Sequence, residues 1–283
     1  MIAFGTQLGG VTFTFLGHFL SRDPNLYSSR APLIAFISVV TFFGLALVIW
    51  SLKHFVSNEE LKGYQSKNED IKEKIRVGFL DGFKVIISRP YVAGIFAIIF
   101  IYEAVTTILN FQMYSLAKKT FIDPGQLNKF IFDYALMVQA LACIIALFGT
   151  SFFQRKFGIK FCLIAYPAIL GLAIIFYTIY PTLNVVLFAV ILSKALNYSF
   201  NQPTKESLYI PTSKEIKYKS KAWIDVFGAR VAKTFGSGFY KAAGSLVGFT
   251  SMVTLGMIAL WIILSDKVGK KFHKIVSKNE LIH

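Results

Sequence analysis

Runs of apolar residues, each near the roughly 20 positions a helix needs to cross a bilayer core, alternate along this chain with short polar segments. The pattern predicts eight membrane spans, at about 1–20, 31–52, 90–114, 130–153, 159–180, 183–203, 222–241 and 246–265. One long polar segment interrupts them, 53–89, whose mixed charge (KNEDIKEKIR) follows helical spacing. The expected fold class is therefore an all-α polytopic membrane protein, with the lipid bilayer as a partner. Lysine and arginine orient it. The segments 53–89, 154–160, 204–221 and 266–283 hold 21 of them and the opposite segments 6, so the first set and both termini are expected in the cytoplasm.

Composition agrees with that pattern. Of 283 residues, 55% are hydrophobic and 16% charged, with a mean hydropathy of +0.57; a soluble domain would carry about a quarter charged residues. A net charge of +15 raises the possibility of nucleic acid. The cations flank the spans instead, and no basic helix interleaved with aromatics lies outside them, so nucleic acid is not an expected partner. Cys143 and Cys162 both fall in apolar runs, which gives no disulfide framework and no metal site. The four histidines are scattered, no Gly-rich loop ends in Lys-Ser or Lys-Thr, and no nucleophile–base arrangement is visible. Neither an enzyme nor a cofactor is expected. Residues 1–20 lack a basic start and contain Gln7 and His18, so they are read as a span, not a cleavable leader. Gly5, Gly9 and Gly10 there, and the lone Gly236-x-Gly238 further on, are read as sites of close helix packing.

Charge inside the spans changes the picture most. Lys194 interrupts the run VVLFAVILS, and Asp225, Arg230 and Lys233 interrupt the next. A charge near the middle of a bilayer costs a few kcal/mol even on mild scales, so it faces a partner or a wet cavity. At helical spacing Asn197, Asn201 and Lys205 fall within about 60° of Lys194. Arg230 and Lys233 lie about 60° apart, with Asp225 further round the same side. Glu103, Thr106, Thr107, Asn110 and Tyr114 form another stripe on the span at 90–114. Cations converging on one cavity point to a polyanionic solute. Pro203 is expected to break its helix, and Arg155, Lys156 and Lys160 to form a short cytoplasmic turn anchored by the positive-inside bias.

The stretch 194–236 resembles the nucleotide transporter family (ATP/ADP translocases) of obligate intracellular bacteria and plastids, a branch of the major facilitator architecture. The matching residues are Pro203, Lys205, Glu206, Leu208, Tyr209 and Pro211 in NQPTKESLYIPTS, then Lys219, Lys221, Asp225, Arg230, Lys233 and Gly236 in KSKAWIDVFGARVAKTFG. The pattern departs at Asn110 and Tyr114, where the family leads one to expect an acidic residue and a following lysine. The resemblance implies a secondary transporter in a membrane, most simply the bacterial inner membrane, exchanging ATP for ADP or taking up other nucleotides. Lys194, Lys205, Arg230 and Lys233 would balance the phosphates, with Asn197, Asn201, Asn110 and Glu103 beside them. Glu206 and Asp225 would pair with these cations when the site is empty. The polar segment 53–89 would be the connection between two six-helix halves. Residues 1–52 then supply the last two helices of an N-terminal half and 90–283 a complete C-terminal half. That count expects four further helices, either in a longer gene product or in a separate chain. A degenerate remnant or accessory subunit that does not transport is the alternative.

Overall fold

The computed structural model describes residues 2–20, 23, 27–55, 79–148, 150–244, 246–278 and 282. Most of the expected connection, 56–78, and the side chain of Gln7 lie outside them. The helices are α1 (Ile2–Leu20), α2 (Tyr27–Phe55), α3 (Phe79–Ser88), α4 (Pro90–Thr120), α5 (Pro124–Phe148), α6 (Thr150–Ile179), α7 (Leu183–Leu196), α8 (Gln202–Ser207), α9 (Lys214–Trp223), α10 (Ala229–Ala243) and α11 (Val247–Ser277). Five segments are long and apolar enough to cross a bilayer: Pro90–Thr120, Pro124–Ala146, Lys156–Ile179, Leu183–Ser207 and Val247–Ser277. The expected span at 222–241 runs through the end of α9 and α10 and carries the charges. Among the described residues there is no strand, only an isolated parallel bridge between Thr212 and Ile282.

Helix α4 is the central pillar. Val92, Ile95, Ile98, Val105 and Ile108 are fully enclosed, and the helix packs against α7, α10 and α11. Pro90 starts it without loss, because the first turn needs no amide donor. Three aromatic rings pin α4, α6 and α11 together: Tyr102, Tyr166 and Trp261, with centroids 5.3 to 6.0 Å apart. The buried Gln112 adds a polar tie, its Nε2 donating to Thr250 Oγ1 at 2.7 Å. Outward-facing Leu172, Met252 and Ile263 stay exposed, as a lipid-facing surface requires. The all-helical membrane fold expected from the apolar pattern is thus what forms.

Two local expectations are corrected. Pro203 does not end its helix. Residues Asn197–Asn201 open into a π-helical turn, and the chain continues through Gln202–Ser207. A proline ring collides with the carbonyl four residues back, here that of Ser199, and the wider turn spans that residue. The expected turn around Arg155 and Lys156 is helical on both sides of Gly158, whose φ of 79° makes the kink. Glycine alone adopts that conformation without a steric penalty. Beyond the kink, Lys160 reaches Asp266 of α11 at 2.9 Å.

Candidate functional site

Glu103 lies on α4, Lys194 on α7, Lys205 on α8, Asp225 in the second π turn (Ile224–Gly228) and Lys233 on α10, and α4 packs against α7, that turn and α10. Gly236 permits this. A Cβ built on it would stand 2.7 Å from the carbonyl oxygen of Ala104 and 3.1 Å from Thr107 Cβ, so α10 touches the backbone of α4. That contact sets Lys233 beside Glu103, at 3.6 Å. Gly236→Val is expected to force the helices apart and lower stability by about 1–3 kcal/mol. Gly238→Val, where nothing lies within 4 Å, is expected to leave the unfolding temperature in detergent unchanged. Equal midpoints for both variants would contradict this packing.

Lys205 is buried, 6% exposed, with its ammonium 4.4 Å from the centre of the Tyr102 ring. Lys194 is half-buried, with its ammonium 5.0 Å from the centre of the Tyr134 ring. Rings offer a cation electrostatic support without neutralising it. The carboxylates of Glu103, Asp225 and Glu206 all act electrostatically on Lys205, and Lys194 is near enough to Lys233 to be repelled by it. Asn197 and Asn201 are buried and hydrogen-bonded, Asn201 Nδ2 donating to Asn197 Oδ1 at 2.9 Å across the π turn. Asn110 donates to the Thr106 carbonyl at 2.6 Å, while its buried Oδ1 has no donor among the described residues. Arg230 is exposed on α10 and lines an open groove with Val231, Thr234 and Phe235.

The pairing expected for Glu206 and Asp225 is corrected in part. Glu206 takes Lys221 at 2.6 Å, and the carboxylate beside Lys233 is Glu103, not Asp225. The reason is geometric: α10 lies against α4, which puts Glu103 across from Lys233, whereas Asp225 sits in the π turn before it. Asp225 is exposed and senses Lys221 first and Lys205 last among its charged neighbours.

Three participants went unnoticed in the sequence. Tyr102 and Tyr134 are ordinary apolar positions until the cations are seen above them. Asp133 is different, an acidic residue inside the expected span 130–153 and so a visible signal. It pairs with His18, tying α1 to α5. Gly10 against Gln139 and Gly17 against Phe132 complete that seam, which bears out close packing at Gly10.

Comparison with known proteins follows the same lines. Residues 3–272 match the family model described as TLC ATP/ADP transporter. The chain is 25% identical to ADP,ATP carrier protein 1, chloroplastic, of Arabidopsis thaliana, over 96% of this chain and 48% of that protein. It is 26% identical to ADP,ATP carrier protein 1 of Chlamydia pneumoniae, over 70% of this chain and 44% of the other. Against ADP,ATP carrier protein 1 of Rickettsia typhi the identity is 24%, over 95% and 60%. The chain spans about half the length of the first two of these relatives. No solved structure matches it.

Proposed function

Because the chain belongs to the TLC ATP/ADP transporter family, we propose that it takes part in exchanging ATP for ADP across a membrane, holding the polyphosphate against Lys194, Lys205, Arg230 and Lys233. The relatives are named as carriers, not as enzymes. The observation that carries the reading is the excess of cations at the junction of α4, α7 and α10. Lys205 and Lys233 share Glu103, and Lys194 is close enough to Lys233 to be repelled by it. Asp225 and the already paired Glu206 are the other carboxylates acting on Lys205, and Arg230 is a further donor exposed on α10. A polyanion adds the negative charge that the two remaining carboxylates, Glu103 and Asp225, do not supply. Arg230 can grip a phosphate through two parallel donors, whereas the lysines act as point charges.

Obligatory exchange follows from the same charges. With no polyanion bound, an occluded site would enclose net positive charge in a low-dielectric interior, which is costly. The empty carrier therefore returns slowly and the loaded one quickly. In this reading α1 and α2 belong to one half of a two-half carrier, residues 90–283 form the other, and access alternates as the halves rock about the site. The seam of His18 and Asp133 then joins the two halves, and 53–89 and both termini face the cytoplasm. Vesicles from native membranes test the function. Preloaded with unlabelled ATP, they are expected to accumulate labelled ADP, and vesicles from cells lacking this chain are not. Equal accumulation by both would overturn the reading.

A further inference from the structure

The end of the polar segment 53–89 is not simply a connection. Residues Phe79–Ser88 form α3, which crosses α9 so closely that a Cβ on Gly82 would stand 2.7 Å from the Lys219 carbonyl oxygen. Gly82 and Ile86 face α9, while Phe83 and Ile87, one turn apart, are 42% and 66% exposed. Lys84 and Ser88 are exposed beside that apolar stripe. Phe83 also leans on Trp223, ring centroids 5.2 Å apart, an aromatic pair of the kind that settles at headgroup level. A short helix with an exposed apolar stripe edged by a cation is built to lie in a leaflet's interface.

Between α3 and α9 lies an open pocket of about 380 Å³, with Lys84, Ser88, Arg89, Ser213 and Lys219 among its lining residues. Two acids, Asp81 and Glu215, line it too, and Glu215 is taken by Lys219. Glu215 accepts from its ammonium at 2.6 Å, and Asp81 attracts it from further off. Lys84 and Arg89 have no carboxylate partner among the described residues. The pocket thus offers two cations at the foot of α4, and Lys84, about 60° from Ile87 around α3, connects it to the apolar stripe on the flank of the helix. A free anion would use the cations and leave the stripe unexplained; a lipid uses both.

We propose that this pocket seats the phosphate headgroup of an anionic phospholipid of the cytoplasmic leaflet, with its acyl chains running past Phe83 and Ile87. The proposal rests on the orientation that places α3 on the cytoplasmic side, and does not depend on nucleotide exchange. The lipid would hold α3 and α9 together just before the charged turn at Asp225.

The test is made on the full chain extracted in mild detergent from membranes containing phosphatidylglycerol, with retained lipid measured by mass spectrometry. Lys84→Gln with Arg89→Gln is expected to lower retained phosphatidylglycerol roughly tenfold or more. Lys271→Gln with Lys274→Gln, which removes two exposed cations of α11, is expected to leave retention at the wild-type level. Equal retention by the first variant, or equal loss in both, would overturn the site. Inorganic phosphate at millimolar concentration is expected not to displace the lipid. Full displacement by it would show a free-anion site and overturn the assignment to lipid. A melting curve for each variant identifies a misfolded protein. If the first variant misfolds, Lys84→Gln alone is read against the same control, and unchanged retention there overturns the proposal.

Discussion

Lys233→Gln is expected to remove most nucleotide exchange, by roughly tenfold to a hundredfold, at unchanged membrane abundance. The figure is that of one charge-assisted contact, about 1.5–3 kcal/mol. The lysine side chain is 59% exposed although it lies within the expected span 222–241, and Glu103 beside it is 19% exposed. At 3.6 Å the pair is loose enough to part when a phosphate arrives. Lys233→Arg is expected to keep part of the activity, since the charge persists with a different geometry. A purely structural pair would behave differently. Losing one partner of such a pair strands the other, so neutralising both should restore function. The double change Glu103→Gln with Lys233→Gln decides between these readings. Exchange still lost in a well-folded double variant supports phosphate binding, and recovery would refute it.

Lys205→Met is expected to abolish exchange as fully, with the opposite effect on the fold. Methionine follows the path of the lysine stem and keeps the packing on Tyr102 but carries no charge. The buried ammonium rests on a ring 4.4 Å away and has no direct ion pair among the described residues, the carboxylates acting on it only from further off. Replacing such a group by an apolar one of similar volume is often neutral or stabilising. An unfolding temperature equal to or above wild type, together with lost exchange, is the expected combination. A large drop in unfolding temperature would mean that Lys205 is there to hold α7 and α8 in place, and its assignment to substrate would fall.

Much of this architecture was legible because a bilayer leaves few choices. A segment that buries every amide in hydrocarbon must be a helix, so apolar run length alone located the long spans. Lys194 was legible for the same reason, since it stands out against its apolar neighbours. Lys233 stood out within the expected span 222–241, and Lys205 was found because it falls on the Lys194 face. What could not be read was the partner of each charge. Partners are set by how helices cross, and a residue such as Gly236 fixes a crossing without naming what lies opposite. Hence Glu103, not Asp225, came to rest beside Lys233. Pro203 misled because a break and a π turn relieve the same clash, and the choice lies in the packing of Phe200 and Asn201, both buried. Helix α3 was hidden inside a segment whose average is polar, although its own ten residues are strongly two-faced. Asp133 could have been found by the rule applied to Lys194.

The proposed exchange depends on phosphate recognition by the cations of α7, α8 and α10 beside α4. The most direct test is the affinity of the purified chain for adenosine, AMP, ADP and ATP, measured by calorimetry at two ionic strengths. Affinity is expected to climb with each added phosphate, and to weaken with salt most steeply for ATP. Adenosine binding as tightly as ATP, with no dependence on salt, would contradict it.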